Sequence, residues 1–255
     1  MSSVPGNAAA AETARTEGRV AIVTGAAGAL GSATVAALRA DGVVVLGVDV
    51  AGEVELRADV ATAEGNGAMV EAAIERHGRL DILVLNAGTQ HVSPLAEVSE
   101  EAWDRLHDLM CKGPFLAIRA AWPHLVASGS GRIVAIASTN AVAAEPHKAA
   151  YNSAKAGVLG VIKTAALEGG THGLTANAVA PGWMLTSLVE DRLSEYMRLE
   201  NASRQTVIER MLSRMPVKRF IDPSEVAAVV RFLASPDASA VNGALIPADL
   251  GLLAC

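Results

Sequence analysis

The chain has 255 residues, 51% of them apolar and 19% charged, which suits one large domain with an extensive core and excludes general disorder. Twenty-one Lys and Arg against 27 Asp and Glu give a formal charge of −6, with no basic run to offset it, so no nucleic-acid surface is expected. No apolar run reaches the roughly 18 residues of a membrane span, and aromatic residues are only 3%, with just two tyrosines, Tyr151 and Tyr196.

Residues 1–17 are rich in Ala and Thr, lack the apolar segment of a secretory signal, and read as a mobile tail. Residues 19–24 (RVAIVT) form a β-branched run that ends in glycine and predicts a buried strand. A helix is predicted over Ala29–Ala40, a strand over 43–49, a helix over 61–77 and a strand over 80–85. One long helix over 99–127 precedes a strand at 132–137; a helix at 149–168, a strand at 174–180, a helix at 223–234 and a strand at 244–247 complete the pattern. Alternating strands and helices, with strands apolar throughout, imply an α/β fold with a mainly parallel sheet covered on both faces. No linker divides residues 18–255, which read as a single domain. Residues 183–215, rich in Met, Arg and Glu, interrupt the alternation and read as a substrate lid.

Cys111 and Cys255 are isolated thiols, so no disulfide is expected and a reducing cytoplasm is the fitting compartment. The six histidines are scattered without paired spacing, and no metal site is expected.

Between the first strand and helix lies Thr24-Gly25-Ala26-Ala27-Gly28-Ala29-Leu30-Gly31. Small residues there let backbone N–H groups approach a pyrophosphate, and the helix N-terminus adds partial positive charge. Asp49 ends the second strand, where a carboxylate accepts hydrogen bonds from the ribose hydroxyls of NAD and repels the 2′-phosphate of NADP. NAD is therefore the expected cofactor. Asp59 and Val60 are further candidates for the adenine edge.

Tyr151 and Lys155 are four residues apart on one helix face. A free phenol has a pKa near ~10, and a neighbouring ammonium and a positive nicotinamide would lower it toward use as an acid/base. Ser138, thirteen residues before Tyr151, follows a strand and is placed to hold a substrate oxygen.

From about Gly18 to Gly251 the chain resembles the short-chain dehydrogenase/reductase family. The likeness rests on the glycine-rich turn, Asn86-Ala87-Gly88, Ser138, the Tyr151/Lys155 pair, Asn177 with Pro181-Gly182 and Thr186, and Arg231-Phe232-Leu233-Ala234-Ser235. The resemblance implies a Rossmann-like, doubly wound, three-layer sheet of about seven strands, homotetramers, and nicotinamide-dependent interconversion of alcohols and ketones. It implies that Ser138, Tyr151 and Lys155 are catalytic, that Lys155 also holds the ribose, and that Thr186 meets the carboxamide. It assigns Gly25, Gly28, Ala29, Leu30, Gly31, Asn86, Ala87, Gly88, Pro181 and Gly182 to the cofactor.

Two positions depart from the family pattern. Ala29 replaces a glycine of the turn, and Met110 replaces an asparagine that supports a water-linked proton relay. Gln90-His91-Val92-Ser93-Pro94 resembles a loop of bacterial 3-hydroxybutyrate dehydrogenases. That likeness implies that Gln90 and Lys148 meet a substrate carboxylate and that Trp183 walls the pocket. Asn140 stands where the subgroup has histidine, and Arg192 where it has a lid glutamine. The expected substrate is a small hydroxy or oxo acid such as 3-hydroxybutyrate. The alternatives are a cyclic or polyketide-like secondary alcohol, or a non-catalytic NAD-binding sensor.

Overall fold

The computed structural model describes residues 18–254, apart from the side chains of Ser187, Leu188, Asp191 and Arg192. The expected tail, residues 1–17, and Cys255 lie outside the described residues. Seven strands, β1 (Val20–Thr24), β2 (Val44–Asp49), β3 (Leu56–Arg57), β4 (Ile82–Leu85), β5 (Arg132–Ile136), β6 (Thr175–Pro181) and β7 (Leu245–Ala248), form one sheet in the order β3-β2-β1-β4-β5-β6-β7. Every pairing is parallel. The fold is thus the doubly wound sheet that the sequence implies. β3 is the strand that periodicity does not reveal, because two residues carry no period.

Helices α1 (Ala29–Ala40) and α2 (Ala63–His77) follow β1 and β3. The predicted helix at 99–127 is α3 (Glu100–His107) and α4 (Gly113–Ala127) separated by a π turn at Asp108–Lys112. Pro114 supplies the reason: it has no N–H for the carbonyl of Met110, and its ring crowds that carbonyl. Next come α5 (Ala149–Gly169), α6 (Ser187–Glu200), α7 (Arg204–Ser213) and α8 (Pro223–Ala234). Residues 183–215 are therefore largely two helices, the first capped by Asn201 in the left-handed region at φ 48°.

One face of the sheet packs Ile22, Leu46, Leu83 and Ile133 against Met69, Ile118, Leu125, Val158 and Ile162 of α2, α4 and α5. The other packs Val23, Val45, Ile82 and Val134 against Leu30, Leu38, Val226, Val230 and Leu233 of α1 and α8. A third cluster joins Trp183, Val189, Leu193 and Tyr196 to Val207, Met211 and Met215, so α6 and α7 have a small core of their own. No helix among the described residues is long and apolar enough to cross a membrane.

The N-terminal end of the sheet is closed by Asp81, which is fully buried. Its carboxylate accepts the Val20 N–H at 2.9 Å and pairs with the Arg79 guanidinium at 2.8 and 2.7 Å. Asp81→Ala removes these charge-assisted bonds and leaves a buried N–H unmet. It should lower unfolding free energy by about 2–3 kcal/mol, measured by urea denaturation; a loss within experimental error would refute this role.

Candidate active site

The strand order reverses between β1 and β4, which leaves a crevice at the carboxyl ends of the strands. A cavity of about 500 Å³ lies there, running from Asp49 and Val50 at one end to Trp183 and Met184 at the other. Gly25, Gly28, Ala29, Leu30, Gly31, Asp59, Val60, Asn86, Ala87 and Gly88 line it, as do Pro181, Gly182 and Thr186. Gln90, Ser138, Asn140, Lys148, Tyr151 and Lys155 also line it. The backbone of Arg192 belongs to α6, and its side chain lies outside the described residues.

The glycine-rich turn is shaped by two of its glycines. Gly25 has φ 65°, and a Cβ there would lie 2.8 Å from the Ala87 Cα. A Cβ on Gly31 would lie 2.0 Å from the Gly25 carbonyl oxygen, so only glycine lets α1 start this close to β1. Gly28 is sterically less demanding: its hypothetical Cβ meets only the Gly25 oxygen at 3.4 Å. It caps α1 without a side-chain bond, and the first turn carries no acid. An anion at this helix end would meet free N–H groups and the positive end of the dipole. The fit to a dinucleotide pyrophosphate is therefore good.

Asp49 faces that turn. Its carboxylate accepts N–H bonds from Ala27 at 3.1 Å and Val50 at 2.7 Å. Asp59 accepts the Ala61 N–H at 3.0 Å and so helps begin α2. The Asn86-Ala87-Gly88 segment is braced from beneath: the amides of Asn86 and Ala87 donate to Thr24 Oγ1, and the Asn86 side chain donates to the carbonyls of Thr24 and Gly25. Thr186 sits at the N-cap of α6 without a capping bond from its hydroxyl.

Ser138 follows β5, and its Oγ accepts the Asn140 N–H at 3.1 Å. Tyr151 is hydrogen-bonded to Ser138. Lys155 lies one turn further along α5 and donates to the Ile136 carbonyl at 2.6 Å, with its Nζ 5.8 Å from the centre of the Tyr151 ring. The expected lowering of the Tyr151 pKa does not occur in the chain alone. Burial pushes it up to about 12, and Glu145 adds to the rise against the opposing bond from Ser138. Burial likewise pulls Lys155 down to about 8. Desolvation outweighs the attraction that spacing alone suggests. Met110 is buried beside Gly88, its sulfur 3.4 Å from where a Cβ on Gly88 would stand.

Lys148 is 3% exposed. Its Nζ donates to Glu145 at 2.9 Å and lies 4.2 Å from the centre of the Trp183 ring, with the Tyr151 and Tyr196 rings at 5.7 and 5.6 Å. Glu145 also accepts from Asn140 Nδ2 at 3.4 Å, and the same amide donates to Asn152 at 3.1 Å. His147, with φ 63°, turns the chain into α5, and its carbonyl accepts the Ser93 N–H at 2.9 Å. The loop carrying Gln90 is thereby tied to the start of α5. Gln90 is buried, and its Oε1 has no hydrogen-bond partner among the described residues. Met184 and Tyr196 fall in the segment 183–215 expected as the lid, whereas Glu145 was not foreseen; its spacing three residues before Lys148 was the available signal.

A family model described as enoyl-(acyl carrier protein) reductase matches residues 6–253. The D-beta-hydroxybutyrate dehydrogenase of Rhizobium meliloti is 39% identical over 184 residues, which are 72% of this chain and 71% of that one. The 3-oxoacyl-[acyl-carrier-protein] reductase FabG of Thermotoga maritima is 34% identical over 256 residues, 94% of this chain and 99% of its own. Among solved structures, levodione reductase superposes with a TM-score of 0.88 at 31% identity, covering 94% of this chain and 100% of that one. An actinorhodin polyketide ketoreductase with NADPH gives 0.87 at 32% identity, covering 92% and 97%. The match extends over nearly the whole chain and agrees with the sheet order and its crevice, and the chain belongs to the short-chain dehydrogenase/reductase family.

Proposed function

We propose that the chain is an NAD-dependent oxidoreductase that interconverts a secondary alcohol and a ketone, with Tyr151 as acid/base. The observation that carries this reading is that Ser138, Tyr151 and Lys155 line the same cavity as the glycine-rich turn and Asp49. A bound nicotinamide supplies or accepts the hydride and, when oxidised, brings positive charge to this end of the cavity. Tyr151 Oη takes the proton from the alcohol, or returns it to the ketone oxygen, while the Ser138 hydroxyl holds that oxygen in line. Lys155 favours the phenolate and binds the cofactor ribose. The proposed substrate is a compound the size of 3-hydroxybutyrate, its acyl end toward Gln90, Lys148 and Trp183, with residues 183–215 as its lid. Homotetramer formation is proposed from the family likeness alone.

Asp49 supports NAD. Among the described residues lining the cavity, the only lysines or arginines are Lys148 and Lys155, both remote from the Asp49 end in the wall that carries Ser138 and Trp183. A 2′-phosphate beside Asp49 would meet a like charge, and Arg57, across the strand pair from Asp49, does not line the cavity and donates to the Gly52 carbonyl at 3.2 Å. A second reading, a cyclic or polyketide-like alcohol, is favoured by the neutralised Lys148 and by the likeness to levodione reductase and the polyketide ketoreductase.

Following reduced-nicotinamide absorbance over a panel of hydroxy acids, their derivatives and cyclic alcohols should show kcat/KM with NAD+ at least about tenfold above NADP+; equal use would remove the argument from Asp49. Tyr151→Phe should retain NAD+ affinity within about twofold while turnover falls by a factor on the order of 10² or more. A fully active variant would remove the mechanism.

Lys155 makes a separate prediction about stability. Its folded pKa of about 8 lies below the ordinary 10.5, so the unfolded chain binds more protons between those values and stability rises with pH there. Tyr151, raised to about 12 from 10, acts oppositely above pH 10, leaving roughly pH 8–10 as the window in which the lysine effect stands clear. Burying that charge costs on the order of 3 kcal/mol at pH 7. Lys155→Met should therefore be more stable at pH 7 by about 1–2 kcal/mol after the lost bond to Ile136 is counted, yet inactive. Denaturant titration at pH 7 and pH 9.5 should show the gain shrinking at the higher pH; a less stable variant at pH 7 would contradict it.

A further inference from the structure

The substrate end of the cavity contains a buried cation that already has a partner. Lys148 Nζ donates to Glu145 at 2.9 Å, the two side chains are 3% and 13% exposed, and the Trp183 ring covers the ammonium at 4.2 Å. Two further cations face this group: Lys155, across the Tyr151 ring, and Arg210, which lies over Tyr196 and is itself paired with Glu200 at 2.7 Å. Asn140 and Gln90 add neutral amides, and the Gln90 Oε1 is buried without a hydrogen-bond partner among the described residues. A substrate carboxylate arriving here would compete with Glu145 for the same ammonium, and two carboxylates sharing a poorly hydrated site repel. A carbonyl oxygen, by contrast, takes one of the remaining ammonium N–H bonds and adds no charge. An amide N–H can also satisfy Gln90.

We propose that Glu145 is a specificity-determining residue, and that by neutralising Lys148 it selects substrates whose acyl end is uncharged, an ester, thioester or amide, over the free acid. This rests on the alcohol/ketone reading of the site and refines it. Two relatives differ at this end of the substrates their names give, one a hydroxybutyrate dehydrogenase and the other a 3-oxoacyl carrier-protein reductase. Glu145 places this chain with substrates of the second kind of charge.

The test compares 3-hydroxybutanoate, its methyl ester and its amide as substrates with NAD+. In parallel, calorimetry measures binding of 3-oxobutanoate and 3-oxobutanamide to the full chain. The native chain should favour the ester and amide over the acid by tenfold or more in kcat/KM, and the amide over the acid in affinity. Glu145→Gln should narrow or reverse that ratio by exposing the ammonium. The double substitution Glu145→Gln with Lys148→Met removes both charges if the single variant folds poorly; it should weaken the ester and amide, which lose the ammonium N–H bond, and should not gain the acid. A native preference for the acid, or a ratio unmoved in folded Glu145→Gln, would overturn the proposal. Binding that discriminates amide from acid without turnover of any of the three would instead remove the proposed activity and leave the charge selection standing.

Discussion

A phenol and an ammonium are held out of water at the carboxyl edge of a parallel sheet, and the surrounding chain is arranged to make that possible. Tyr151 and Lys155 are 9% and 5% exposed, on a helix packed across β5 and β6. Burial favours the uncharged form of each, raising the tyrosine and lowering the lysine. The pair is therefore poised away from the ion pair that simple spacing would suggest. Charge introduced nearby has a large effect on groups in that condition, because little solvent is present to screen it.

The scaffold accounts for how such groups can be tolerated. Both faces of the sheet are covered by tightly packed aliphatic side chains, and the site occupies the crevice that the reversal in strand order leaves open. Gly25 and Gly31 bring the first helix against the first strand, while Asn86 and Thr24 tie the next strand end to the same turn. The turn and the strand end beside it are thus held in place by hydrogen bonds on one part of the cavity's border. Another part carries Trp183, Met184, Thr186 and Val189, where the chain has a small separate core.

Much of this arrangement was legible in the sequence because it depends on local signals. Short apolar runs located six of the seven strands of the sheet, and helices α1 and α8 begin and end where their caps and periodicity place them. The Ser138, Tyr151 and Lys155 spacing likewise pointed to one wall of one cavity. What was hidden depends on contacts between distant segments or on side-chain burial. β3 is too short to carry a pattern, and the break in the helix at Asp108–Lys112 follows from one proline whose effect lies a turn upstream. Spacing alone leaves Lys148 readable as a solvated lysine; the rings of Trp183, Tyr151 and Tyr196 surround its ammonium, and Glu145 neutralises it. The rise of the Tyr151 pKa in the chain without cofactor was hidden for the same reason, since attraction can be read from spacing and desolvation cannot.

The scarcity of tyrosine makes the central claim directly measurable. Phenolate absorbance can be titrated with pH in the free chain and in the presence of saturating NAD+, with Tyr151→Phe identifying the contribution of one of the two rings. In the free chain both phenols should ionise above the ordinary value, since burial raises Tyr196 as well as Tyr151. With NAD+ present, one phenol should move to lower pH, and that movement should vanish in Tyr151→Phe. A Tyr151 that ionises at or below the ordinary value in the free chain, or that does not move when NAD+ binds, would contradict the account.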